Sequence, residues 1–225
     1  MKKILIISLL LVATMALFAD SAVAFLAANR GRVELARNNR NLRFRAGEML
    51  QNNDQIKTGN ESYAAYKYVD GSSQVRVFAN SIVRVRATTT NGSLNKTVAI
   101  DRGNVYSRVT RNTGSYRVET SNTVASVRGT GFLTKVDDEG YCSYIVEDGE
   151  IELMIRSTGE RHLVGRGKTA TIDPDGNVNI ADSSEDDLSE LDNAEEQAGE
   201  EANIRTIRVP VQNETGEIKY IEIQY

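Results

Sequence analysis

Apolar and polar residues alternate along most of this chain, and a period of two restricts it to β structure. Gly31-Arg32-Val33-Glu34-Leu35 alternates, as do Ser62 to Tyr68, Gln74 to Phe78, Ile82 to Arg86, Tyr116 to Thr120 and Ile151 to Ile155. Asp70-Gly71, Asn91-Gly92 and Asp148-Gly149 are turn signals between such runs. Short strands closed by turns every roughly eight to twelve residues predict an all-β fold: a single wound β-sandwich, jelly-roll-like, or a short β-solenoid. Glycine-led starts recur at Gly31, Gly103 and Gly149, each with an apolar residue two places on, as equivalent strand starts in a wound fold would have. Phe132, Tyr66, Val105 and Ile151 each follow a turn signal on the apolar side of a strand, which predicts one buried core containing all four.

The N-terminus reads as an export signal. Lys2 and Lys3 precede an apolar run from Ile4 to Phe18 that is short for a membrane span, and Ala22 and Ala24 are small residues of the kind a signal peptidase accepts. Cleavage after Ala24 gives a signal peptide over 1–24. Cleavage after Ala19 is the alternative, because Ala22 to Ala28 fits a first strand of the mature domain. No cysteine lies near either position, so lipid attachment there is not expected. The single cysteine, Cys142, has no internal disulfide partner and alternates with Tyr144 and Val146, which reads as a buried structural thiol.

Charge divides the chain. Residues 25–172 carry 22 Lys/Arg against 15 Asp/Glu, residues 173–203 carry 12 Asp/Glu and no base, and residues 204–225 carry three of each. The expected organisation is a β domain over 25–172, a disordered acidic linker over 173–203 in which Asp186 to Gln197 could form a frayed helix, and a β-hairpin over 204–225. Val75-Arg76-Val77 and Val83-Arg84-Val85-Arg86 set valines on one strand face and arginines on the other. Arg76, Arg84 and Arg86 are read as a solvated face or as a cationic strip for an anionic partner, with the acidic linker as its mobile cover.

Two passages carry a family resemblance. The first contains Thr58-Gly59, then Ser62-Tyr63-Ala64, then Asp70-Gly71-Ser72; the second runs from Val118-Glu119-Thr120 into Arg128-Gly129-Thr130-Gly131-Phe132. Together, in order over roughly residues 28 to 172, they resemble the FecR domain. Gly59, Gly71 and Gly129 suit backbone conformations closed to residues with a Cβ, Ala64 shares a strand face with Tyr66 and Tyr68, and Arg128 is expected to bond carbonyls of neighbouring turns. The alternative for Arg128-Gly129-Thr130 is part of a ligand site. The regulators that give the family its name add a cytoplasmic helical segment and a membrane span before the domain and a signalling domain after it. Those segments are not seen in this sequence, so the resemblance implies an exported module and does not carry over the anti-sigma role.

The expected function is a non-enzymatic, exported module of the cell envelope, periplasmic before surface or secreted, that binds an envelope protein or an anionic envelope polymer. Peripheral membrane contact and homo-oligomer formation are both open, and nucleic acid is not an expected partner after export. No cofactor or metal is expected. A rival reading is a structural or surface protein that associates with itself through the C-terminal hairpin. The least favoured is a carboxylate-based enzyme acting on glycans; His162 is the only histidine and has no nucleophile-elbow sequence to serve.

Overall fold

The computed structural model describes residues 22–42, 45–111, 114–200, 206–212 and 218–224. The predicted signal segment up to Ser21, residues 201–203 of the predicted linker and the hairpin turn at 213–217 lie outside the described residues.

One long strand organises the domain. In Ser93–Val109, residues 93–102 pair within one sheet and residues 103–109 within a second. The crossing falls at Gly103, whose φ is +99° and where a Cβ would lie 2.0 Å from Ser81 Oγ, so only glycine fits the corner.

The front sheet holds β2 (Val33–Arg37), β3 (Arg40–Leu42), β5 (Gln55–Thr58), β8 (Ile82–Thr90), the first part of β9 (Ser93–Val109), β10 (Tyr116–Glu119), β11 (Thr123–Val127), β14 (Glu150–Ile155) and β15 (Arg161–Gly165). The back sheet holds β1 (Ala22–Arg30), β4 (Met49–Gln51), β6 (Tyr63–Tyr68), β7 (Ser73–Val77), the rest of β9, β12 (Gly131–Val136), β13 (Cys142–Asp148), β16 (Lys168–Ile172) and β17 (Val178–Asp182). All these pairings are antiparallel except β9 with β10. Strand order in each sheet largely follows chain order, so the chain winds from sheet to sheet as it advances, as the all-β reading anticipates.

The inward faces enclose a single core. Tyr66, Val105, Phe132 and Ile151 are all fully buried in it, together with Ala64, Tyr68, Tyr116 and Tyr144. Cys142 is buried there too, its Sγ 3.4 Å from Thr120 Oγ1, and burial pushes its thiol up from its usual pKa.

Beyond Ile172 the chain departs from the disordered linker expected from composition. Asp173 accepts the Asn177 N–H (2.9 Å) in a tight turn, and β17 then adds to β16. The helix α1 (Glu185–Glu200) follows. Ser184 Oγ accepts the Asp187 N–H (3.1 Å) and Asp187 Oδ2 accepts the Ser184 N–H (3.2 Å), a reciprocal cap on the helix start. Leu191 and Ala194, 3% exposed, pack against Tyr106, Leu133 and Ile145 on the outer face of the back sheet. The sequence allows a frayed helix over Asp186 to Gln197, inside α1, but composition misses its docking, because a helix needs only a narrow apolar stripe when a sheet face is waiting for it. At the C-terminus, β18 (Thr206–Gln212) and β19 (Ile218–Gln224) pair antiparallel as the predicted hairpin.

Candidate functional site

The Arg128-Gly129-Thr130 motif sits where β11 leaves the front sheet for β12 in the back sheet. Gly129 has φ +61°, and a Cβ there would meet Arg111 Cγ at 1.9 Å. Thr130 Oγ1 donates to the carbonyl of Glu150 (3.1 Å), and Gly149 is pressed so close that a Cβ on it would lie 2.7 Å from the Gly129 carbonyl oxygen. The motif thus clamps the β13–β14 turn, and the stem of Arg111 lies against Gly129.

Beside it lies a groove of about 770 Å³ on the outer face of the front sheet. Arg111, Arg117 and Arg128 line it beside Ser126, Glu150, Glu152 and Leu163. Arg117 lies opposite Ser126, Ser126 opposite Glu152, and Glu152 opposite Leu163, so one cross-strand row spans the groove floor. Arg128, just past the end of β11 at Val127, is exposed as Ser126 is. None of the three arginines has a salt-bridge partner among the described residues, whereas Glu152 is held by Arg161 of β15. Three unneutralised guanidiniums on one concave surface repel one another, and an anion that enters relieves the repulsion.

The expected strip of Arg76, Arg84 and Arg86 does not exist as one surface. Arg84 and Arg86 share the outward pleat of β8 in the front sheet, and Arg86 pairs with Glu119 at 3.3 Å. Arg76 is on β7 in the back sheet, 1% exposed, its guanidinium 5.2 Å from the ring centre of Tyr63. The valine–arginine alternation fixes which pleat each residue occupies but is silent on which sheet the strand joins. The acidic segment does not cover this strip either: α1 rests on the back sheet, where Lys135 pairs with Glu190 (2.6 Å) and Lys168 of β16 pairs with Asp182 of β17 (2.6 Å).

The other motif residues build the fold. Asp70 Oδ1 accepts the Ser72 N–H (3.1 Å) and hydroxyl (2.8 Å), while fully buried Lys96 donates to Asp70 Oδ2 (2.6 Å) and Ser72 Oγ (2.7 Å). Thr58 Oγ1 accepts the Ser81 N–H (3.0 Å). Gly71 has φ +68°, as a position closed to Cβ should, but Gly59 does not adopt a positive φ, and a Cβ there would sit at ordinary contact distance (3.4 Å) from Arg32 Cβ. Arg128 points to solvent in place of bonding carbonyls, so the ligand-site alternative for the motif gains an exposed charged group. Sequence reasoning missed Arg111 and Arg117. The alternation Tyr116-Arg117-Val118 carried a signal for the latter, of the same kind that singled out Arg84.

His162 lies on β15 opposite Leu153, its Nε2 4.0 Å from Glu160. Among the described residues no three potential metal-ligating side chains cluster.

Residues 54–152 match the family model described as FecR protein. Over that stretch the chain is similar to the FecR domain. Two crystal structures of candidate anti-sigma factors from Parabacteroides distasonis share its fold, each with a TM-score of 0.51. One, at 2.50 Å resolution, is 17% identical over 60% of this chain and 62% of its own length; the other, at 1.65 Å, is 14% identical over 76% and 84%. This chain therefore spans less than two thirds of the first. At such identities the likeness is one of fold. No curated protein matches the sequence. The FecR match contains Arg111, Arg117, Arg128 and both groove glutamates, while Leu163 lies beyond it.

Proposed function

We propose that this protein is a non-enzymatic binding module of the cell envelope, exported by its N-terminal segment, that takes part in envelope signalling by capturing an anionic partner in the arginine groove. The observation that supports the reading is the convergence of Arg111, Arg117 and Arg128, none of them neutralised by a described residue, on a groove lined by the first residue of the family motif. Exposed ion pairs contribute about 0–1 kcal/mol each, so a single surface arginine means little; three around one concavity can act together. The two anti-sigma-like structures fit a role in signalling, and their low identity leaves the partner to be found.

Site-specific photocrosslinking in intact cells tests it. A crosslinker in place of Ser126, in the groove floor, should yield a covalent adduct with an envelope component, and one in place of Ser143, on the back sheet, should not. Equal adducts from both positions, or none from Ser126, would overturn the groove as the binding site.

A second reading, self-association through the C-terminal hairpin, is favoured by the hairpin's register. Ile207 opposite Ile223 and Val209 opposite Ile221 give one side of the ribbon a run of apolar positions. Solution mass with and without residues 204–225 separates the two readings.

A further inference from the structure

We infer that the ligand of the arginine groove is an extended peptide segment with acidic residues at two alternate positions followed by a basic one; this rests on the groove being the binding site. Arg117 and Arg128 lie diagonally across β10 and β11: Arg117 faces Ser126, and Arg128, exposed like Ser126, directly follows Val127, the last residue of β11. Such diagonal neighbours are about 7–8 Å apart. In an extended peptide, side chains two residues apart project to the same side at roughly 6.6–6.8 Å. Two carboxylates at positions i and i+2 therefore meet the two guanidiniums, each able to take a bidentate pair. Arg111, whose stem lies along Gly129, closes the groove beside them.

The far side of the groove has the opposite charge. Val127 is the last residue of β11 to pair with β14, opposite Ile151, so Glu150 lies at the end of β14 next to Arg128, and Glu152 lies opposite Ser126. A uniformly charged chain such as a polyphosphate would bring negative charge against both glutamates, and like charges at contact are unfavourable. A flat anionic membrane would not reach a concave floor. A peptide that changes sign from acidic to basic matches both sides, and Leu163, 61% exposed at the end of the row, offers apolar contact for a neighbouring side chain.

The test uses the purified mature chain and a fluorescent capped peptide, Asp-Thr-Asp-Thr-Lys-Val, with a permuted peptide, Asp-Asp-Thr-Thr-Lys-Val, and with polyphosphate and phosphatidylglycerol vesicles as competitors. The alternating peptide should bind several-fold more tightly than the permuted one. Arg117→Ala and Arg128→Ala should each weaken it by about tenfold, the scale of one lost charge-assisted bond. Arg102→Ala, which removes an exposed arginine paired with Asp138, should leave it unchanged. Both groove arginines are exposed, and unchanged melting curves of the variants would exclude misfolding. Equal affinity for the permuted peptide, or tighter arginine-dependent binding of polyphosphate or vesicles, overturns the peptide assignment and leaves the groove in place. Absence of binding by every probe, or binding that ignores both substitutions, overturns the peptide and the groove together.

Discussion

The side chain of Arg111 fills the space that a Cβ on Gly129 would need: such an atom would lie 1.9 Å from Arg111 Cγ and 2.9 Å from its Nε. Gly129→Ala should therefore destabilise the domain by about 2 kcal/mol or more, from a positive φ of +61° and from the clash. Removing the clashing stem isolates the two contributions. In an Arg111→Ala background the same substitution should cost only about 1 kcal/mol, the backbone part. Urea denaturation of the four proteins gives the coupling, and a coupling of zero would mean that Arg111 does not lie where Gly129 admits it.

Lys96 and Asp70 form a buried hinge of charge beneath the β6–β7 turn, with the lysine side chain fully buried and the aspartate 25% exposed. Asp70→Ala should destabilise by about 3 kcal/mol, because the ammonium loses its carboxylate partner while its side chain stays in the interior. Adding Lys96→Met to Asp70→Ala should restore most of that loss, since it removes the stranded charge. Thermal melts decide it, and a double variant no better than Asp70→Ala would show that the pair is more than a compensated charge.

Burial pushes the hydroxyls of Tyr66, Tyr68, Tyr116 and Tyr144 above their usual pKa. The folded state then holds protons that the unfolded chain releases, so their contribution to stability is intact at lower pH and lost as pH rises past about 10, the unfolded value. Unfolding free energy should fall with increasing pH above that point, and phenolate absorbance from these four should appear with the loss of β-sheet signal. Their ionisation in a protein that keeps its fold would contradict the burial.

The helix α1 is held by two apolar residues, a cap, the Lys135–Glu190 pair and a hydrogen bond from Thr169 Oγ1 to Asp187 (3.1 Å), and carries no base in its last turn to oppose the helix dipole. Leu191→Asp should free it from the back sheet while the sandwich keeps its melting temperature to within a few degrees. Limited proteolysis should then cut between Ser183 and Glu200. Truncation after Ile172 should do more harm, because it strips β17 from β16 and bares a sheet edge.

The mature chain should begin at Asp20. Cleavage after Ala24 would remove the part of β1 in which Ala22 pairs with Gln51 and Ala24 with Leu50 and Tyr68, and with it the buried side chains of Val23 and Ala24. Intact-mass measurement of the exported protein distinguishes the two starts, and a mass beginning at Phe25 would show that the first strand forms without those residues.

Alternation along the chain was enough to read most strands and the four core residues Tyr66, Val105, Phe132 and Ile151, because each lies within one strand whose period is local. Sheet membership is not local. Arg76 and Arg84 have the same neighbours in sequence, yet β7 joins the back sheet and β8 the front one, so the cationic strip dissolved. The groove was half legible: Arg128 belongs to a motif, but Arg111 enters only through contact with Gly129, from which β10 and β11 separate it in the chain. Leu191 was hidden for a similar reason, since its burial depends on Tyr106, Leu133 and Ile145, all distant in sequence.

Because β9 runs unbroken from the front sheet into the back, the groove and the face under α1 are joined by covalent bonds as well as by packing. Tyr116 and Arg117 of the groove pair with Lys96 and Thr97, and Tyr106 beneath the helix lies further along the same strand. A partner that pulls on the groove therefore loads one polypeptide strand whose other end supports α1. The two faces cannot yield independently, and mechanical tension on either should be resisted by the whole domain until it gives way in a single step.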